Sequence, residues 1–104
     1  MKISILLPYK ENFSPFYPGA VSLFVKDTSN LSKYKKDIIV FGNTNYKKKF
    51  NIKYFNISLS NFKFASKSKQ YVNKFIEIEK KNPSDLIEVH NRPNYLSDIV
   101  KILG

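Results

Sequence analysis

Apolar residues in this chain come in two textures, short unbroken runs and stripes at spacings of three and four. Residues 2–7 form the first run, β-branched and apolar until Pro8 breaks it, and predict a buried strand. A loop over residues 9–18 follows, rich in Asn, Ser, Pro and aromatics. Beyond Gly19, the residues Val21, Phe24, Val25, Thr28 and Leu31 recur at helical spacing and predict a helix with that apolar stripe. Lys33, Lys35 and Lys36 close it, where cations suit the dipole. Asp37-Ile38-Ile39-Val40-Phe41 is a second unbroken run, stopped by Gly42 and a polar turn at Asn43 to Asn45. A third strand is expected within residues 52–57, where the less regular pattern of Ile52, Tyr54, Phe55 and Ile57 suits a sheet edge. A lysine-rich helix over residues 66–81 follows, with Tyr71, Val72, Phe75 and Ile78 on one face and Pro83 beyond its end. Asp85 to His90 reads as a fourth strand. Pro93 then opens a last helix striped by Tyr95, Leu96, Ile99, Val100 and Leu103, with Gly104 placed as its C-cap.

The element order is β-α-β-β-α-β-α, and unbroken apolar runs mark strands buried on both faces, as in parallel sheets. Right-handed crossovers then give the expected fold class, α/β: a Rossmann-like three-layer α/β/α domain around a four-stranded parallel sheet in the order 3-2-1-4. A chain of 104 residues supplies one domain and one core. Such domains normally continue past four strands, and the last helix should feed a fifth, so residues 1–104 read as a single partial domain. In this order the fourth strand is a raw edge, guarded by Glu88 alone. Self-association as a homodimer through Asp85 to His90 is the expectation that follows, the alternative being that the final helix, Tyr95 to Leu103, folds over this edge and covers it.

Composition narrows the chemistry. There is no cysteine, which excludes disulfides and thiolate metal sites, and one histidine makes no zinc site, so no metal is expected. The first apolar run is too short for a secretory h-region, and no stretch approaches the ~20 apolar residues of a membrane span. A soluble, unprocessed, cytoplasmic protein is expected, with a peripheral place on the inner face of the membrane as the alternative. The net charge of +10 invites a polyanion partner. Arg92, however, is the one arginine among 18 basic residues, and nucleic-acid sites favour the arginine fork over the lysine point charge. Codon bias accounts for many lysines in a chain this rich in Asn, Ile, Phe and Tyr.

Several cofactor signatures are missing. The first strand is followed by neither G-x-G-x-x-G nor G-x-x-x-x-G-K-[ST], and it does not end in the paired acids of a phospho-acceptor domain. No cofactor is expected. Doubly wound sheets bind ligands at the carboxyl ends of their strands, and two segments land there. Pro18-Gly19-Ala20-Val21-Ser22 opens the first helix, and a small-residue turn there lets backbone N–H groups approach a phosphate. The alternative is that Gly19 only supplies a positive φ. At the end of the fourth strand stand His90, Asn91 and Arg92, an imidazole, amide and guanidinium suited to hydroxyls and anions. The competing reading of His90 is a satisfied structural polar group.

Taken together, Lys2-Ile3-Ser4-Ile5-Leu6-Leu7-Pro8, Gly19-Ala20-Val21-Ser22 and the segment from Asp85 to Pro93 resemble the N-terminal, acceptor-side domain of family 4-type glycosyltransferases of the GT-B fold. The resemblance implies a retaining enzyme that moves a sugar from a nucleotide-sugar donor to a glycan or lipid-linked acceptor, as in cell-envelope polysaccharide synthesis. It places Gly19 and Ala20 in the loop near the donor diphosphate, and His90, Asn91 and Arg92 along the cleft. The second glycine usual in that loop is Ala20 here. The family's donor-sugar histidine and its nucleotide-binding domain would fall beyond Gly104, so the resemblance implies no catalytic residue within this chain and no activity from it alone.

The rival expectation is a non-enzymatic basic module that docks on an anionic membrane surface or nucleic acid. Lys33, Lys35, Lys36 and Lys47 to Lys49 would carry its charge, with Phe13, Phe16 and Tyr17 inserting beside them.

Overall fold

The backbone of the computed structural model follows the chain through β1 (Ile3–Leu6), α1 (Ala20–Leu31), a 3₁₀ turn (Lys35–Asp37), β2 (Ile38–Gly42), β3 (Tyr54–Asn56), α2 (Lys67–Lys81) and β4 (Leu86–Val89). It describes residues 1–44, 47, 49–59 and 66–90. The expected helix from Pro93, its cap Gly104, and Asn91 and Arg92 lie outside the described residues.

The four strands form one all-parallel sheet in the order β3-β2-β1-β4, as the crossover rule requires. Its two faces carry separate cores, which follows from the alternation of side chains along each strand. Ile3, Ile5, Leu7, Ile38 and Val40 point one way and meet Val25 of α1 and Phe13 of the loop after β1. Leu6 and Phe41 point the other way and meet Tyr71, Val72, Phe75 and Ile76 of α2. The result is a small Rossmann-like α/β/α domain.

Of the expected α2 stripe, Tyr71, Val72 and Phe75 are buried and Ile78 is half-buried against the same core, while Ile76 and Glu79 join the buried face. Glu79 is buried on the same face, where it accepts hydrogen bonds from the Ser84 N–H (2.9 Å) and the Ser84 hydroxyl (2.6 Å). Because Ser84 donates to Glu79, the Ser4 hydroxyl donates to Ser84 at 2.5 Å, tying the end of α2 to β1. Ser66 caps the start of α2 by accepting from the Lys69 N–H.

Helix α1 departs from its pattern. It buries Ser22, Val25 and Ser29 and leaves Phe24 58% and Leu31 88% exposed, so of the expected stripe Val21 and Val25 meet the core while Phe24, Thr28 and Leu31 face outward. The sheet face beneath is lined by large aliphatic residues, and Phe13 from the preceding loop fills space that bulky helix side chains would otherwise take. Small serines are what fits. The helix also stops at Leu31, capped by Ser32, with no basic residue in its last turn. Lys33, Lys35 and Lys36 therefore do not close it. Two of the three aromatics offered above for insertion into a membrane, Phe16 and Tyr17, are exposed, but Phe13 is fully buried and is unavailable for that role.

Among the described residues β4 pairs with β1 alone, and Leu86 on it is 54% exposed. Edge pairing between two copies is the expected consequence. Light scattering at high protein concentration should give a dimer that Val89→Lys disperses without loss of helical circular dichroism. A monomer throughout would remove the expectation.

Candidate functional site

Helix α1 has no side-chain cap of its own, because Gly19 at the N-cap offers none and the first turn holds no acid. The acceptor comes from eleven residues upstream. The Ser22 N–H donates to Glu11 Oε2 at 3.2 Å, which sets a carboxylate on the positive end of the helix. The reading in which Gly19 supplies a positive φ is overturned. Its φ is −77°, an ordinary extended value, so no positive φ is needed. A Cβ at Gly19 would instead stand 1.8 Å from Glu11 Oε2. An added side chain would have to push the flexible Glu11 carboxylate off the helix end.

Glu11 reaches that place because the loop after β1 is tied down at several points. The Glu11 N–H donates to the Pro8 carbonyl (3.1 Å), closing a turn that holds Lys10 at φ 69°. Two residues on, Phe13 is buried, stacked on Tyr54 (5.5 Å between centroids, 8° between planes) and edge-on to Phe50 (5.1 Å). The Thr44 hydroxyl accepts from the Phe13 N–H (3.0 Å) and donates to the Glu11 carbonyl (3.3 Å). The Thr44 N–H donates to Asn56 Oδ1 (2.7 Å), and the Tyr54 hydroxyl lies 2.9 Å from both Thr44 Oγ1 and Asn56 Oδ1. Thus the carboxyl ends of β2 and β3 pin the loop that leaves β1. Burial pushes the Tyr54 phenol from 10.0 up to about 12, with its hydrogen bonds to Thr44 pulling it back in part. The folded state keeps this proton where the unfolded chain loses it. The Tyr54 contribution to stability is therefore whole below pH 10.0 and declines as pH rises toward about 12. Urea midpoints measured across that range should fall less steeply in Tyr54→Phe than in the parent.

Of the sequence-predicted residues, Gly19 and Ala20 stand at the start of α1, and His90 follows β4. The sheet brings them together. Ala20, Val21, Phe24 and His90 line a shallow cleft of about 320 Å³ at the carboxyl ends of β1 and β4. His90 is oriented from two sides. Its Nε2 lies 2.9 Å from Glu88 Oε2, and its ring meets the Phe24 ring edge-on at 6.0 Å. Its backbone N–H extends the ladder to the Leu6 carbonyl.

Glu11, Thr44 and Glu88 escape sequence reasoning as site residues. Glu11 had one signal available, since it is the only acid in residues 1–26 and the helix start beside Gly19 lacks a polar cap. The cap makes a testable coupling. Glu11→Ala and Gly19→Ala should each cost about 1 kcal/mol, since both remove the carboxylate from the helix end. Because the two substitutions delete one interaction, the double variant should cost little more than either single one. Full additivity in urea denaturation would show that Glu11 does not cap α1.

No protein-family model, curated protein or solved structure matches the chain. Among the described residues no helix is long and apolar enough to cross a membrane.

Proposed function

We propose that this domain forms the acceptor-side wall of a retaining, GT-B-type glycosyltransferase, which moves a sugar from a nucleotide-sugar donor to a glycan or lipid-linked acceptor. One observation carries the reading: the start of α1 and His90 line a common cleft at the carboxyl ends of adjacent strands β1 and β4. That is where doubly wound sheets bind their ligands. The Glu11 carboxylate on the α1 amide supports an anionic group at this spot, and a donor phosphate would take its place. His90, held by Glu88, presents an imidazole to sugar hydroxyls. A single wall neither excludes water nor completes a donor site, so this chain by itself transfers no sugar and binds donors weakly.

An NMR titration with UDP-glucose and GDP-mannose tests the reading. Shifts should centre on Ala20, Val21, Ser22 and His90, with a dissociation constant no tighter than about 1 mM, some −4 kcal/mol. Glu11→Gln should tighten binding by weakening the internal competitor. Shifts that avoid the cleft, or none at all, overturn the proposal, and micromolar affinity overturns its single-wall part.

A further inference from the structure

In a parallel sheet with crossover helices, the helices run back against the strands, so their C-termini gather at the amino edge of the sheet. That edge lies at the opposite end of the strands from the cleft. It collects Lys33, Lys35 and Lys36 between α1 and β2, Lys53 just before β3, and Lys80 and Lys81 at the end of α2. The last two sit in the final turn of α2, where they offset its dipole. The others have no such account, because the last turn of α1 contains no basic residue. Nor does a salt bridge among the described residues engage Lys33, Lys35, Lys36 or Lys53.

These cations frame a groove of about 550 Å³ lined by Lys35, Lys36, Phe50, Asn51, Ile52 and Lys53. The Lys53 ammonium donates to the Lys36 carbonyl at 3.3 Å, and Lys26 lies over the Phe50 ring at 5.4 Å. Leu31, 88% exposed, and the part-exposed Tyr34 project from the same corner, with the Lys33 ammonium 5.2 Å from the Tyr34 ring.

We infer that this amino edge docks on an anionic phospholipid surface. Headgroup phosphates occupy the Lys35–Lys36–Lys53 groove, and Leu31 and Tyr34 enter the interface. Two features favour a bilayer over nucleic acid. The cations are lysines, whose point charges suit a diffuse anionic surface and lack the fork that grips phosphate and bases. A leucine held in water two residues before Lys33 gains from an acyl boundary and nothing from a phosphodiester backbone. Docking here turns the His90 cleft away from the bilayer. Surface binding and cleft occupancy are therefore independent, and neither test depends on the other.

Vesicle cosedimentation decides the matter, with equal parts phosphatidylglycerol and phosphatidylcholine against phosphatidylcholine alone. The protein should partition onto the anionic vesicles only, and less as salt rises. Lys35→Glu with Lys36→Glu should weaken partitioning at least about tenfold, since each lysine near such a surface is worth roughly fivefold. Leu31→Ser should weaken it several-fold at unchanged charge. Lys69→Glu with Lys74→Glu on α2 makes the same change in net charge away from the edge and should retain most binding. Circular dichroism checks folding, and Lys33→Glu with Lys53→Glu replaces the first pair if that pair unfolds. Absence of binding, equal binding to neutral vesicles, or equal losses from both charge pairs would overturn the inference. So would a DNA or RNA probe that binds through Lys35 and Lys36 while vesicles do not.

Discussion

Phe13→Ala is expected to destabilise the fold by about 3–5 kcal/mol, a large share of the roughly 5–15 kcal/mol that holds a domain of this kind together. Phe13 is a loop residue, yet no part of it reaches solvent. It closes the α1-side core between Phe50 and Tyr54 and stands in the same cluster as Ile5, Leu7 and Val25. Removing the ring leaves a cavity walled by the sheet and α1, which rigid elements cannot collapse to fill. The loss also reaches the cleft. Glu11 lies two residues before Phe13, so loss of the ring removes a packing anchor close to it. The Ser22 amide should then lose its carboxylate partner and exchange with solvent faster than its α1 neighbours. Phe13→Leu, which keeps most of the volume, should cost less than half as much and spare that amide. A Phe13→Ala urea midpoint close to the parent's would mean that the loop is not part of the core.

The sequence legibility of this fold follows the physics of burial. Strands β1 and β2 are covered on both faces, so nearly every residue in them is apolar and their place in a parallel sheet is visible in one dimension. Helix α2 packs one face on the sheet, so its stripe reads directly from Tyr71, Val72 and Phe75, although Ile76 rather than the half-buried Ile78 completes it. Helix α1 misleads because Phe13, distant in sequence from Val25, occupies part of its packing surface and leaves room only for Ser22 and Ser29. Phe24, Thr28 and Leu31 of its visible stripe therefore face outward while Val21 and Val25 stay on the core. In the site, Gly19 and His90 were legible because a helix start and a strand end have fixed places in this topology. Glu11 and Thr44 were not. Their roles depend on contacts from Glu11 to Ser22 and from Thr44 to Phe13, across 11 and 31 residues, which no local pattern encodes.

The other face depends on Tyr71 in a comparable way, and Tyr71→Ala should cost about as much as Phe13→Ala. Tyr71 is fully buried among Leu6, Phe41 and Ile57, with the Tyr9 ring 5.6 Å away. Its hydroxyl lies 2.6 Å from the Leu7 carbonyl and 3.2 Å from that of Phe41. The two carbonyls are not equally dependent on it. The Phe41 oxygen also accepts from the Leu7 N–H at 2.9 Å and stays satisfied without Tyr71. For Leu7 the tyrosine is the short, buried donor just where the chain leaves β1 for the cleft. Tyr71→Phe separates packing from hydrogen bonding, since it keeps the ring and removes the only donor to that carbonyl among the described residues. It should cost about 1–3 kcal/mol, the penalty for a buried polar group left unpaired. Tyr71→Ala adds the cavity and should bring the total to about 3–5 kcal/mol. In thermal unfolding, the phenylalanine variant should melt roughly 4–8 °C lower for each kcal/mol lost. If Tyr71→Phe melts with the parent while Tyr71→Ala unfolds, the ring is structural and its hydroxyl is not what fixes the chain at Leu7.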